Sequence, residues 1–316
     1  MNSNVLILGG TGFVGHHLVS HLSSRSFTVY SLARNPEAFS SEGKSVNIEG
    51  NISNTTLLRR LIKHCPVIVH AASDSVPGDT VNVPLCEAHN NFLPTISLIE
   101  GLHAFEQRHL IFISSGGAIY GNPPSNPVAE NTSCHPLSYH GACKASLELF
   151  LYTLTHQTNN RVTILRPSNL YGPGQRNKRN FGLIRVLLSN VLTNSEITIW
   201  GDGSTEKDYL HVDDLISACE KVIRHSCQKR YVVYNIGSGK GYSINTICDI
   251  IEEITEKKLK KTYEPSRLVD PNQIVLNTDK IRQELGWTPR IDLYEGIKEL
   301  WDSFHGEGSS GRIKPA

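Results

Sequence analysis

The stretch LILGGTGFVGHHL, residues 6 to 18, restricts the fold more than any other part of the chain. Gly9, Gly12 and Gly15 stand three residues apart, directly behind an apolar run that reads as a strand. They precede VGHHLVSHLSSR, whose apolar residues recur at helical spacing. Glycine permits the tight turn, lets backbone N–H groups approach a ligand and allows strand and helix to pack closely, while the helix N-terminus attracts negative charge. The combination predicts a strand, loop and helix that hold the pyrophosphate of a dinucleotide, NAD(P).

The rest of the chain agrees with such an opening. VLILGG (5 to 10), TVYSLA (28 to 33), VIVHAA (67 to 72), HLIFISS (109 to 115) and RVTILRP (161 to 167) are nearly continuous apolar runs. Strands covered on both faces of a parallel sheet read this way. NTTLLRRLIKH, NFLPTISLIEGLHAF and GACKASLELFLYTLTHQ lie between them with the three-and-four spacing of helices packed on a sheet. The expectation is a Rossmann-type doubly wound parallel α/β sheet over residues 1–172, to which part of the later chain returns. Residues 173–304 are expected to form a smaller C-terminal α/β substrate-binding lobe, and the Gly/Ser-rich residues 305–316 a disordered tail.

Composition narrows the function by exclusion. A formal net charge of +1 over 316 residues, with 19% charged side chains, offers neither a polybasic surface for nucleic acid nor an acidic tail. Seven cysteines without a CxxC pair and fourteen histidines without HExxH spacing predict reduced thiols and no metal site. No apolar run reaches the roughly 18 residues of a membrane span and no signal-like segment opens the chain, so a cytoplasmic location is expected.

Dinucleotide sites usually carry a carboxylate at the end of the second strand to bind the adenosine ribose. Here that strand ends on Ala33 and Arg34. With no carboxylate at this place to repel a 2′-phosphate, Arg34 either binds one, favouring NADP, or is a solvated loop residue.

GGTGFVG, VIVHAAS, HNNFLPT, ISSGGAIYG, GACK, LRPSNLYGPGQ, WGDGSTEKDYLHVDDL and LGWTP occur in an order and spacing that resemble the extended short-chain dehydrogenase/reductase superfamily. Within it they are similar to the NAD-dependent epimerase/dehydratase group that includes UDP-galactose and UDP-N-acetylglucosamine 4-epimerases, over roughly residues 4 to 301. The resemblance implies a homodimeric UDP-hexose or UDP-N-acetylhexosamine 4-epimerase of polysaccharide synthesis, which oxidises and re-reduces the sugar at C4. The same resemblance leaves open a catalytically impaired NAD(P) and nucleotide-sugar binder with a structural or regulatory role, and a dehydratase or reductase. The dehydratases commonly have Asp-Glu where SGGA precedes Ile119 here.

Residue by residue, the resemblance implies cofactor contacts at Gly9, Gly12, Phe13, Val14, Asn51, Ile52, Ala71, Ala72, Asn91, Ser114 and Lys144. The group usually has Asp where this chain has Asn51. Nucleotide-sugar contacts are implied at Asn169, Lys207, Arg267 and Asp270. Lys207 replaces an arginine, which keeps the charge and loses the planar bidentate fork. Packing alone for Ala71 and Ala72, and helix capping for Asn91, remain as alternatives.

The catalytic pattern of the group is Tyr-x-x-x-Lys with a Ser or Thr. In SYHGACKASLE, residues 138 to 148, Lys144 matches the lysine, and four positions back lies His140, with Tyr139 one further. On a helix a four-residue step turns about 40° net and keeps two side chains on one face, whereas five residues turn about 140°. His140 therefore takes the base position; the alternatives are a helix that starts one residue later and lets Tyr139 swing in, and a His140 that only packs. Imidazole can act as a base, and a neighbouring ammonium lowers its pKa and keeps it neutral. The alternatives for the group's hydroxyl, Gly116 and Ala118, have none.

Overall fold

A computed structural model gives the fold; the structure describes residues 3–36, 44–74, 83–175, 182–225, 229–266 and 273–307. The chain starts with β1 (Ser3–Leu8), α1 (Phe13–Ser23), β2 (Phe27–Ala33), β3 (Ser45–Glu49), α2 (Thr55–His64) and β4 (Val67–His70). A short helix α3 (Pro84–Glu87) runs through one wide π-helical turn (Ala88–Phe92) into α4 (Leu93–Leu102). Then come β5 (His109–Ile113), the short α5 (Gly116–Ile119), the long α6 (Tyr139–Gln157), β6 (Arg161–Pro167) and β7 (Asn169–Tyr171). The remainder comprises α7 (Leu183–Thr193), β8 (Glu196–Trp200), β9 (Glu206–His211), α8 (Val212–Arg224), β10 (Tyr231–Ile236), β11 (Gly241–Ser243) and α9 (Ile244–Thr255). It closes with β12 (Lys260–Glu264), β13 (Gln273–Ile274), α10 (Asp279–Leu285) and α11 (Leu293–Glu307).

Seven parallel strands in the order β10-β6-β5-β4-β1-β2-β3 make the main sheet. β1 lies between β2 and β4, so the strand order reverses there and the loop after β1 opens onto the crevice where α/β sheets bind ligands. Successive residues of β1 serve opposite faces. Val5 and Ile7 pack with Leu18 and Leu22 of α1 and Leu215 of α8, while Leu6 and Leu8 pack with Leu58, Ile62, Leu98 and Leu151 on the other side. All four β1 side chains are fully buried, each contributing on the order of 1.5–3 kcal/mol. That two-sided burial is why the strand reads as an unbroken apolar run.

A smaller lobe has its own core, in which Leu187 and Leu188 of α7, Ile197 and Ile199 of β8, Ile251 of α9 and Ile297 of α11 meet. Strand β9 joins lobe to sheet and is held by Asp208, which has no exposed surface. Its carboxylate accepts from Ser238 N (2.8 Å), Ser238 Oγ (2.7 Å), Gly239 N (3.2 Å) and Leu276 N (3.2 Å).

Several features differ from the sequence reading. β3 is an edge strand with mostly exposed side chains and thus no apolar run to reveal it. The later chain does return to the main sheet, as expected, and the returning parts are α8 against α1 and β10 beside β6, both within the range assigned to the lobe. Helix α11 continues to Glu307, three residues into the segment expected to be a tail; residues 308–316 lie outside the described residues. No helix among the described residues is long and apolar enough to cross a membrane.

Candidate active site

An open cleft of about 1190 Å³ runs along the C-terminal ends of the main-sheet strands and into the lobe. One end is built by the glycine loop. Gly9 has φ +87°, and a Cβ there would stand 2.6 Å from Ala72 Cα; a Cβ on Gly15 would stand 2.0 Å from Gly9 O. A side chain at Gly9 would run into the backbone after β4, and one at Gly15 would drive α1 away from the loop. Gly12 is the N-cap of α1 and offers no side-chain cap, and no acidic residue stands in the first turn, so the N-terminal amides suit a pyrophosphate. The loop thus fits the dinucleotide that the sequence predicts.

Gly9, Gly12, Phe13, Val14, Arg34, Asn51, Ile52, Ala71 and Ala72 all line this end of the cleft. Asn51 Oδ1 also closes a local turn by accepting from Ser53 N (2.9 Å). Arg34 changes the picture of the ribose pocket. Its guanidinium donates to both carboxylate oxygens of Asp74 (3.3 and 3.2 Å), which follows β4. The end of β2 lacks a carboxylate, yet the loop after β4 supplies one, and it sits on the group expected to receive a 2′-phosphate. The sequence expectation is corrected here because Asp74 is distant in the chain and adjacent in the sheet.

Asn91 is also placed differently from its expected role. It is buried behind the cleft wall, where Oδ1 accepts from Asp74 N (2.8 Å) and Nδ2 donates to Glu87 Oε2 (2.9 Å). Rather than reaching the cleft, it braces the segment that carries Asp74.

Helix α6 and strand β5 supply the middle of the cleft. Ser138 caps α6 by accepting from Gly141 N (3.2 Å), which starts the helix at Tyr139. His140 and Lys144, one turn apart, both line the cleft and are 8% and 6% exposed. Tyr139 turns outward with 46% of its surface exposed and does not line it. Lys144 Nζ donates to Ile113 O (2.9 Å) and lies 4.8 Å over the Phe112 ring. Burial lowers its pKa to about 8, against the pull of Cys143, Glu87 and Glu148.

Burial, reinforced by the charge of Lys144 and opposed by Glu87, lowers the His140 pKa to about 4, so the ring is neutral at pH 7. The phenols of Tyr171 and Tyr209 also line the cleft, and burial pushes both above the ordinary tyrosine value. Imidazole is the better base here.

Ser115 and Ser138 bring hydroxyls to this part of the cleft, but the two positions expected to hold the group's hydroxyl, Gly116 and Ala118, have none. Gly117 and Ala118 line the cleft, whereas Gly116 faces away, its missing Cβ aimed at Leu276 Cδ1 (2.6 Å) and Arg166 O (2.9 Å). Ser114 lines the cleft but gives its hydroxyl proton to Glu148 Oε1 (2.5 Å). Glu148 in turn is gripped by Arg166 through Nη2 (2.6 Å) and Nε (3.1 and 3.2 Å), and Arg166 Nη1 donates to Tyr120 OH (2.8 Å). This buried network stiffens the wall below the site.

The lobe end carries Asn169 and Lys207, both on the cleft. Asn169 Nδ2 donates to Asp208 O (2.9 Å), which ties it to the β9 staple. Arg267 and Asp270 lie outside the described residues. Among the described residues no group of three or more His, Cys, Asp or Glu could hold a metal.

Sequence reasoning passed over Asp74 and Glu87. A charged residue inside the helical segment PLCEAHNNF, four positions before Asn91, was the one available signal for Glu87.

The electrostatics predict a measurable titration. In ¹⁵N-histidine NMR, His140 remains neutral as pH falls through 6.5 and protonates near 4; Lys144→Met, by removing a positive charge, raises that midpoint. A wild-type midpoint near 6.5, or one that ignores the substitution, contradicts the arrangement.

Comparison with known proteins identifies the family. The model of the family described as "NAD dependent epimerase/dehydratase family" matches residues 5–237. A chain from Methanocaldococcus jannaschii that bears the provisional name UDP-glucose 4-epimerase is 31% identical over 301 residues, covering 94% of this chain and 96% of the relative. A crystal structure of a Thermotoga maritima UDP-glucose 4-epimerase with UDP-glucose superposes with TM-score 0.89 at 29% identity, covering 96% of this chain and 99% of that one. A Thermus thermophilus UDP-glucose 4-epimerase in complex with NAD gives TM-score 0.87 at 26% identity, with 96% and 99% coverage. The glycine loop at the sheet's reversal point, the buried lysine of α6 and these matches together establish that the chain belongs to the NAD-dependent epimerase/dehydratase family.

Proposed function

We propose that this protein is a nucleotide-sugar 4-epimerase acting on a UDP-hexose or UDP-N-acetylhexosamine, with NAD as its cofactor and His140 in place of a tyrosine base. What carries the reading is the meeting on one cleft of the α1 glycine loop with His140 and Lys144, in a chain most of whose similar relatives bear 4-epimerase names, one bearing that of a dTDP-4-dehydro-6-deoxyglucose reductase. When bound, NAD takes a hydride from the sugar's C4 and returns it.

The protein's residues position the sugar and move one proton. Neutral His140 accepts the proton of the C4 hydroxyl as the C–H bond is broken, and gives it back after the keto-sugar has turned its other face. Lys144, anchored on Ile113 O, fixes the charge around the ring. Lys207 and Asn169, both on the cleft, take the diphosphate, and the nucleoside lies toward the lobe end. The proton passes between His140 and the sugar oxygen directly or through one water.

We also propose a homodimer and a cytoplasmic location. On α6, Leu149, Phe150 and Tyr152 are 69%, 48% and 47% exposed, and Leu93 at the start of α4 is 48% exposed. Phe92 and Phe150 meet edge to face at 5.4 Å between them, giving a shared apolar face that a second copy would cover. The six described cysteines are all unpaired thiols, as suits a reducing compartment.

The activity is tested with NAD-loaded protein, UDP-glucose, UDP-N-acetylglucosamine and their galacto isomers, following the anomeric protons by NMR. At least one pair interconverts, and His140→Ala lowers kcat by about 10²–10⁴. Failure of the wild type to convert any of them at high enzyme loading overturns the reading. For the cofactor, Asp74→Asn releases Arg34 and raises affinity for NADP relative to NAD by about tenfold, the worth of one charge-assisted contact. An unchanged ratio of dissociation constants removes Asp74 from cofactor choice. Sedimentation of wild type as a dimer and of the Leu149→Glu, Phe150→Glu double variant as a monomer checks the assembly; a monomeric wild type rejects it.

A further inference from the structure

The carboxylate of Glu87 is 3% exposed, and nothing in the proposed reaction yet uses it. It ends α3, immediately before the π-helical turn, and Oε1 lies 4.0 Å from His140 Nδ1. Its other oxygen accepts from Asn91 Nδ2 (2.9 Å), and Asn91 is itself fixed by Asp74 N (2.8 Å). A wide turn of this type is rare and frequent at functional sites. Here it places Glu87 and Asn91 in contact at the wall against which α6 packs.

We propose that Glu87 is a positioning residue for proton transfer: its carboxylate orients the His140 imidazole through Nδ1–H and leaves Nε2 to take the proton of the sugar hydroxyl. This rests on the function proposed above. At 4.0 Å the pair is about 1 Å longer than a hydrogen bond, a gap of the kind that closes when a substrate-bound site tightens.

In the oxidative half-reaction the sugar O–H bond breaks and its proton bonds to Nε2. The C4 hydride leaves with its electron pair to the nicotinamide, and the C4–O double bond forms. Glu87 makes and breaks no bond; its negative charge faces the imidazolium that forms. The groups facing His140 are Glu87 from α3 and Lys144 from its own helix, with opposite effects on the ring. A tyrosine needs only the lysine, because an ammonium favours the phenolate. An imidazole beside the same ammonium is a weakened base, and a carboxylate on its far nitrogen offsets that loss.

The test is Glu87→Gln, which preserves size and a carbonyl oxygen for Asn91, with folding checked by thermal melting. Two readouts are used. With NAD and UDP bound and no turnover, ¹⁵N NMR of His140 reports the tautomer: Nδ1–H in the wild type, and a shift towards a mixture in Glu87→Gln. In turnover, kcat falls about 10–100-fold with KM within about threefold, and the acid limb of the kcat profile moves to lower pH because the ring loses its counter-charge. Glu87→Asp, which keeps the charge, recovers part of the rate and serves alone if the glutamine variant does not fold. An unchanged tautomer in Glu87→Gln, or kcat within about twofold of wild type with an unmoved acid limb, overturns the proposal. A wild type that turns over no UDP-sugar sinks the functional reading instead, while the tautomer still decides the pairing.

Discussion

A buried ammonium organises this active site. Lys144 is 6% exposed, and taking a charged amine out of water is costly unless the surroundings compensate it. Compensation comes from the carbonyl of Ile113, the face of Phe112, and the two carboxylates Glu87 and Glu148. Each of these partners is thereby held in place. The end of β5 is pinned to α6, and Glu148 remains inside with Arg166, Tyr120 and Ser114 locked around it. His140 is a consequence of the same arrangement: one helical turn from Lys144, it must be neutral, and as a neutral imidazole it has a lone pair to offer.

In the proposed reaction an imidazole stands in for a phenol, which alters what the site requires of its neighbours. For a tyrosine, the lysine does useful work by drawing an ordinary pKa of about 10 toward neutrality. For a histidine the same charge acts in the opposite direction. Glu87 stands where it can correct this, and Asn91, placed behind the wall instead of on it, holds Glu87 in position. On the proposed reading, His140 and the buried acid at residue 87 act as one physical unit.

Much of the fold is legible in the chain because burial on both faces leaves an unmistakable apolar run, as in β1, β5 and β6. Elements lacking that signature are harder to see. β3 is an exposed edge, and β10 and α8 return to the sheet from far along the chain. The site divides similarly. The glycine loop, Lys144 and His140 are set by local spacing on one element each, and local spacing is what a sequence displays. Asp74 on Arg34 and Glu87 opposite His140 are contacts between separate elements, 40 residues apart in the first case, so only the folded chain reveals them.

The central claim is that His140 moves the proton. It is tested most directly by a crystal structure of the protein with NAD and a UDP-sugar bound. The account predicts the sugar's C4 oxygen within about 2.6–3.2 Å of His140 Nε2, or joined to it by a single water, with Tyr139 still turned to solvent. A C4 oxygen in contact with the Tyr139 phenol instead, with His140 out of reach, would contradict it.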